Sequence, residues 1–349
     1  MSKKIILVAP ALNSFIQNDI DILSKKYEVI TNIYPWYSKP LLPILIFRQF
    51  IYLFFKIPFT DKILVEFGGY WSMLPTLIGK LFGKPVFVIL HGTDCASLPE
   101  LSYGSLRKPL VRLFCKITYR HAIALLPVSS SLIKCENIFF PTDRPIPQGY
   151  KHFFPEIITN CKVIGNGIDG LFWNSLKENI KDDNSFIAVF SEKQFELKGG
   201  DLIIELAKSF ENCKFYMAGM KSLPGSIIIP HNVVNLGYLN RKELREYFRR
   251  CQFHLQLSSF EGFGISLCEA MLCNCIPIGS SVNSIPEIIG DTGFILETKN
   301  LDQCVELIKK VLLSKRKKEL GELARNRILN RYSLEKRTTE LLQTINNYS

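Results

Sequence analysis

The stretch "SSFEGFGISLCEAMLCNCIPIGSS", Ser258–Ser281, follows the apolar run "FHLQLS" and sets two glutamates, Glu261 and Glu269, on either side of a glycine-bearing turn. A helix starting near Ile265 leaves backbone N–H groups around Phe263, Gly264, Ile265 and Ser266 free to attract a phosphate. Glu269 then lies about one turn into that helix. Glu261 stays on the strand-end loop, where Gly262 and Gly264 let backbone approach a ligand closely. Carboxylates accept hydrogen bonds from paired hydroxyls, so one carboxylate on each side of an anion pocket suits a sugar nucleotide. A solvated loop charge at Glu261 and a helix-dipole partner at Glu269 would fit the same letters.

Working outward, short apolar runs alternate with amphipathic stretches along the whole chain. The first half has "KIILVAP", "YEVITNIY", "KILVEFGG", "PVFVILHG", "AIALLPVS" and "KVIGNGID"; the second has "SFIAVF", "KFYMAGM", "NVVNLGYL" and "CIPIGS". Strands this uniformly apolar are covered by helices on both faces, as in parallel α/β sheets. At 349 residues the chain exceeds one core, so two doubly wound domains with a cleft between them are expected. The domains are placed at 1–175 and 184–330. The polar stretch "NSLKENIKDDNS", Asn174–Ser185, reads as the linker. A final helix, 331–349, can finish either domain, crossing back to the first one included.

The net charge of +11 is uneven: residues 1–182 carry 21 Lys and Arg against 13 Asp and Glu, and residues 183–349 carry 22 against 19. A basic first half suggests an anionic partner, whether membrane surface, phosphorylated lipid or nucleic acid. No basic stripe interleaved with aromatics appears, which argues against nucleic acid. The ten cysteines are scattered without a zinc spacing and read as reduced thiols in apolar runs. "MSKKIILVAP" has too short an apolar run for a signal peptide, so a cytoplasmic protein is expected.

In open parallel sheets, ligands bind beyond the carboxyl ends of the strands. Lys193 and Lys198 follow "SFIAVF" in "SEKQFELKGGDLIIELA". Two cations beside a helix start can neutralise a diphosphate, and an exposed loop is the alternative. His91 ends the strand "PVFVIL", facing a ligand or held by backbone as a core histidine. "VIGNGID", Val163–Asp169, reads as the last strand of the first half running into a turn. The D-x-D of "NDID", Asn18–Asp21, falls in a helical pattern and reads as a solvated face, not a metal site.

Taken in order, these segments resemble the retaining family 4 glycosyltransferases. The E-x7-E element Glu261/Glu269 is joined by "HGTD", "NGID", a basic residue five before "KGG", and the terminal "YSLEKRTTELL" helix. The resemblance implies a GT-B fold, with two Rossmann-like doubly wound domains facing a central cleft. It further implies that Glu269 binds the nucleotide ribose, Glu261 lies by the donor sugar, and Lys193 and Lys198 bind the pyrophosphate. Backbone of the Phe263–Ser266 loop would hold sugar hydroxyls and phosphate, and His91 would help the transition state by hydrogen bonding. The donor would be a nucleotide-diphosphate sugar and the acceptor a glycan or lipid-linked hydroxyl, with retention at the anomeric carbon and no metal cofactor. Two departures stand out. Lys193 replaces the family's usual arginine, and "APALNSFIQNDI" lacks the glycine-rich turn after the first strand, which leaves the acceptor open. An inactive sugar-nucleotide-binding partner subunit and a sugar-nucleotide epimerase are the rival readings.

The run "LLPILIFRQFIYLFFKIPF", Leu41–Phe59, is nearly long enough to span a bilayer but carries Arg48, Gln49 and Lys56 between Pro43 and Pro58. On a helical projection Arg48, Gln49, Tyr52 and Lys56 share one sector and the rest is apolar. Such a helix is either buried against the sheet or laid on an anionic inner membrane face.

Overall fold

The computed structural model describes residues 3–36, 38–140, 144–175, 181–223, 225 and 228–348. The chain divides into two compact units, one formed by Met1–Cys135, Pro147–Gly167 and Glu335–Ser349, the other by Glu136–Ile146 and Ile168–Leu334. The sequence places the change at 175/184; these units change at 135/136, 146/147, 167/168 and 334/335. Of the expected linker, residues 176–180 lie outside the described residues. Its end, Asp182–Ser185, is already strand.

The first unit is built on strands β1 (Lys4–Ala9), β2 (Glu28–Ile33), β3 (Lys62–Glu66), β4 (Val86–Leu90), β5 (Ala124–Pro127) and β6 (Asn160–Cys161). They pair in parallel in the order β2-β1-β3-β4-β5-β6. Every residue of β3, β4 and β5 is buried, which is why these runs are apolar without alternation. Helices α1 (Ser14–Leu23), α2 (Leu42–Lys56), α3 (Met73–Leu81) and α4 (Pro109–His121) make the crossovers. Right-handed connections put α2, α3 and α4 on one face of the sheet and α1 on the other.

The second unit has β7 (Asp182–Val189), β8 (Lys214–Ala218), β9 (Val233–Asn235), β10 (Cys251–Gln256), β11 (Ile276–Ser280) and β12 (Phe294–Leu296). Their order is β9-β8-β7-β10-β11-β12, again parallel throughout. Counted from β7, this is the 3-2-1-4-5-6 order of dinucleotide-binding sheets, with its switch point between β7 and β10. Its helices include α5 (Gly200–Lys208), α6 (Arg241–Arg250), α7 (Ile265–Leu272), α8 (Ile285–Ile289), α9 (Leu301–Leu312) and α10 (Lys317–Arg331). The last helix, α11 (Leu334–Asn346), runs into the residues that complete the first unit.

Two local readings are corrected. Asp19 is not on a solvated face: it is fully buried, and Arg337 of α11 grips it with Nε at 2.6 Å and Nη2 at 2.5 Å. Arg337 also donates to the carbonyls of Ile164 and Gly165 at 3.1 and 3.0 Å. Val163–Asp169 is not a strand either; the strand stops at Cys161. Gly165 and Gly167 loosen the backbone there, and the carbonyls it frees are those taken by Arg337.

Candidate active site

In the second unit, β7 and β10 end side by side and each feeds a loop that starts a helix. The β7 loop carries Lys193 in a single 3-10 turn, Glu192–Gln194, and then Lys198 before α5. Gly199 adopts φ +75°, and a Cβ on it would meet the Leu257 carbonyl oxygen at 2.3 Å. Only glycine lets the two loops approach this closely. The backbone locks them further, with Ser259 N–H donating to the Leu197 carbonyl at 2.7 Å.

Across that contact, Lys198 Nζ donates to Glu261 Oε2 at 2.6 Å, both side chains being largely buried. The same oxygen accepts from Gln256 Nε2 at 2.7 Å and from Ser258 Oγ at 3.4 Å. Among the described residues, no protein donor reaches Glu261 Oε1, so that oxygen is the one left for a ligand. Asn283, at positive φ, accepts from the Glu261 N–H at 3.2 Å and fixes the loop. Beneath it, His254 Nε2 lies 3.2 Å from Gln256 Oε1. Burial lowers the His254 imidazole to about 4, against the pull of that bond.

Helix α7 begins at Ile265, behind Gly264 at φ +98°. Its first N–H groups have no acceptor within the helix. Ser266 Oγ donates to Gln256 Oε1 at 3.2 Å, tying this helix start to the end of β10. Phe263 is buried and packs edge-on against Tyr332 at 5.4 Å. The Glu269 side chain makes no protein hydrogen bond among the described residues. Burial raises its carboxyl to about 8, opposed by the positive charge of Arg241. Arg241 itself lies over the Phe172 ring at 4.4 Å. Lys198 and Glu261 are thus brought together, Glu269 stands one turn into α7, and the Lys193 side chain is exposed with no partner among the described residues.

His91 belongs to the first unit, at the end of β4. Its ring packs against Phe67 and Phe15, centroids 4.2 and 4.9 Å away. Nε2 is 2.7 Å from Glu66 Oε2, the carboxylate that closes β3. Burial lowers His91 to about 4 and pushes Glu66 well above the usual carboxylate range, with the Asp19 charge adding to the rise. Both shifts favour the neutral form of their group. Glu66 Oε1 is buried without a donor of its own. In the tautomer that donates the His91 Nε2–H to Glu66 Oε2, Nδ1 is the acceptor of the ring. Asp94 of "HGTD" holds the loop: Oδ1 accepts from the N–H of His91 and Gly92 at 3.1 and 3.0 Å, and Oδ2 from Gly68 N–H at 2.9 Å.

Sequence reasoning missed Glu66, Asp19 and Arg337. The available signal was a carboxylate ending an otherwise apolar strand, the same signal that pointed to Glu261.

Residues 172–327 match the family model described as glycosyl transferases group 1. Over 276 residues the chain is 40% identical to N-acetyl-alpha-D-glucosaminyl L-malate synthase of Bacillus anthracis, covering 74% of this chain and 68% of that one. The chain belongs to the GT-B glycosyltransferase superfamily. It is also 30% identical to O-antigen chain mannosyltransferase B of Escherichia coli over 113 residues, 32% of this chain and only 29% of that relative. The GT-B fold agrees with solved structures that it resembles along 99% of its length. They include Anabaena HepE in complex with UDP and glucose, 16% identical with a TM-score of 0.72 over 100% of that chain. Another is the sucrose-phosphate synthase of Thermosynechococcus elongatus, 12% identical with a TM-score of 0.74 over 98% of that chain.

Proposed function

We propose that this GT-B protein is a retaining, family 4 glycosyltransferase that moves a sugar from a nucleotide diphosphate to an acceptor hydroxyl in glycan or glycolipid synthesis. The observation that carries the reading is the Lys198–Glu261 pair at the switch point, at 2.6 Å, beside the open N–H groups of α7. In this reading the diphosphate lies on the α7 N-terminus, with Lys198 and Lys193 stabilising the charge that develops on the leaving group. Glu269 takes the ribose hydroxyls, and Glu261, through Oε1, takes a hydroxyl of the transferred sugar. His91 accepts a hydrogen bond at Nδ1 from the reacting sugar. Since these cations lie in the protein itself, the chemistry proceeds without a divalent metal. The acceptor is a glycan or lipid-linked hydroxyl met at the inner membrane face.

The test is a panel of sugar nucleotides read first by thermal shift, since a ligand of the folded state raises its stability. Nucleotides of N-acetylglucosamine and of mannose head the panel, after the glucosaminyl and mannosyl groups in the names of two relatives. The hit is then incubated with and without acceptors in excess chelator, and the product's anomeric configuration is read by NMR. Transfer with retention is expected. Inversion overturns the mechanism, sugar isomerisation without acceptor means an epimerase, and donor binding without turnover means a partner subunit.

A further inference from the structure

Helix α2 is turned inside out relative to an ordinary surface helix. Its buried residues are Leu45, Gln49 and Leu53, so a polar side chain sits in the middle of the inward stripe. Gln49 Nε2 is held there by Asn32 Oδ1 and the Trp71 carbonyl, both at 3.0 Å. The outward side carries Phe47 and Phe55, and the 3-10 turn that follows carries Phe59; they are exposed by 66, 65 and 79%. Only 22% of the apolar window Leu42–Phe59 is buried. Folding usually buries such rings and leaves the amide outside. The burial of α2 against the sheet, one of the two sequence expectations, therefore applies to a single narrow stripe.

The exposed apolar surface does not stop at α2. Helix α2 packs on α3 and α3 on α4, all on the same face of the sheet. Leu77 and Leu81 of α3 and Leu110 and Leu113 of α4 are exposed as well. The three helices contain Arg48, Lys56, Lys80, Arg112, Lys116 and Arg120 and not one Asp or Glu. Lys116 is paired with Glu156 at 2.7 Å, and Lys80 Nζ lies 3.0 Å from His121 Nδ1. A contiguous apolar patch on a water-soluble surface marks an interaction site. Three helices that carry basic and no acidic side chains select an occupant that is apolar below and anionic above.

We propose that the α2–α3–α4 face is a docking surface for an anionic lipid bilayer, with the phenylalanines of α2 inserted at the acyl boundary and the basic side chains at the headgroups. The face lies parallel to the membrane and does not cross it. Arg48 reaches headgroups from the flank of the inserted stripe, as long basic side chains do. The surface is defined by α2, α3 and α4 alone and does not rest on the catalytic assignment. It locates the membrane contact of the proposed lipid-linked acceptor.

The experiment is flotation of the full chain with phosphatidylglycerol/phosphatidylcholine vesicles and with phosphatidylcholine alone, at low and high salt, with sedimentation velocity in parallel. Binding is expected to anionic vesicles, and to weaken at high salt. Phe47→Glu/Phe55→Glu should lower it by at least about tenfold, because two charges must enter the interface. Both positions are exposed, so the fold is expected to survive, and a circular dichroism melt checks this. Arg112→Glu/Arg120→Glu, which leaves α2 untouched, should remove the preference for anionic lipid. The proposal is overturned by indifference to anionic vesicles at low salt, by unchanged binding of the folded Phe47→Glu/Phe55→Glu protein, or by a dimer that this variant dissociates while vesicles are ignored. Donor-induced thermal shift, measured on the same samples, reports the nucleotide site separately: a lost shift with intact flotation refutes the catalytic reading only.

Discussion

Lys198 Nζ and Glu261 Oε2 meet at 2.6 Å across 63 residues of sequence. The cation proposed to meet a leaving diphosphate is thus already oriented before any ligand arrives. Because the ammonium has three donors, one bond to Glu261 leaves two for phosphate oxygens. Lys198→Ala is expected to lower kcat by two to three orders of magnitude, about the cost of losing one electrostatic stabiliser of the transition state. Steady-state kinetics with saturating donor is the check. Near-normal turnover would remove Lys198 from the mechanism.

For Glu269 the expectation concerns affinity and its pH dependence. Glu269→Ala should weaken nucleotide binding about tenfold or more, the loss of a charge-assisted bond. Hydroxyl donors favour the carboxylate form, whereas the free protein holds Glu269 at about 8. Binding therefore releases a proton below that value, and affinity should rise as pH climbs from 6 toward about 8. Calorimetry in buffers of different ionisation enthalpy measures the proton directly, and Glu269→Gln should abolish it.

His254 predicts an acid limb of stability. Its folded-state value is about 4, below the ordinary imidazole value. A depressed value means that the neutral form is the one that folds, so its contribution is complete above about 6.5 and is lost as pH falls toward 4. The loss amounts to roughly 3 kcal/mol at most, from about 1.4 kcal/mol per unit. His254 reports cleanly because its hydrogen-bond partner, Gln256, does not titrate. Urea unfolding at pH 4.5 and 7 should show a smaller difference in His254→Gln than in the parent chain. At His91 the effect is mixed with Glu66, whose raised value removes stability as pH rises.

Arg337→Ala is expected to destabilise the chain by about 3–5 kcal/mol, because it leaves the Asp19 carboxylate buried and unpaired. Asp19→Leu/Arg337→Met, which removes both charges, should recover much of that loss. Denaturant titration of the three chains decides it; equal losses in the single and double variants would mean that the ion pair is not what Arg337 supplies.

Much of the site was readable because its signals are local. The apolar run ending at Gln256, the glycines and the helical spacing after Ile265 placed α7 and put Glu269 one turn inside it. What could not be read depends on partners far away. Asp19 looks like one face of a short polar helix because its counter-ion is 318 residues off. Glu66 looks like a strand-end charge until His91, 25 residues later, is set beside it by the β3–β4 register. In α2 the periodicity identifies a polar sector, but burial follows the contacts of Gln49 with Asn32 and Trp71, which oppose the hydrophobic pattern.

The grip of Arg337 on Asp19 also bears on how the chain is made. A ribosome delivers β1, α1 and β3 early, yet the guanidinium that neutralises Asp19 emerges only after residues 168–334, the bulk of the second unit. That second unit can fold as it leaves the exit tunnel. The first must wait, its apolar strands and a buried carboxylate in place but its closing helix not yet synthesised. During translation the earlier half is therefore the later to mature, and it is the half that a chaperone has most reason to hold.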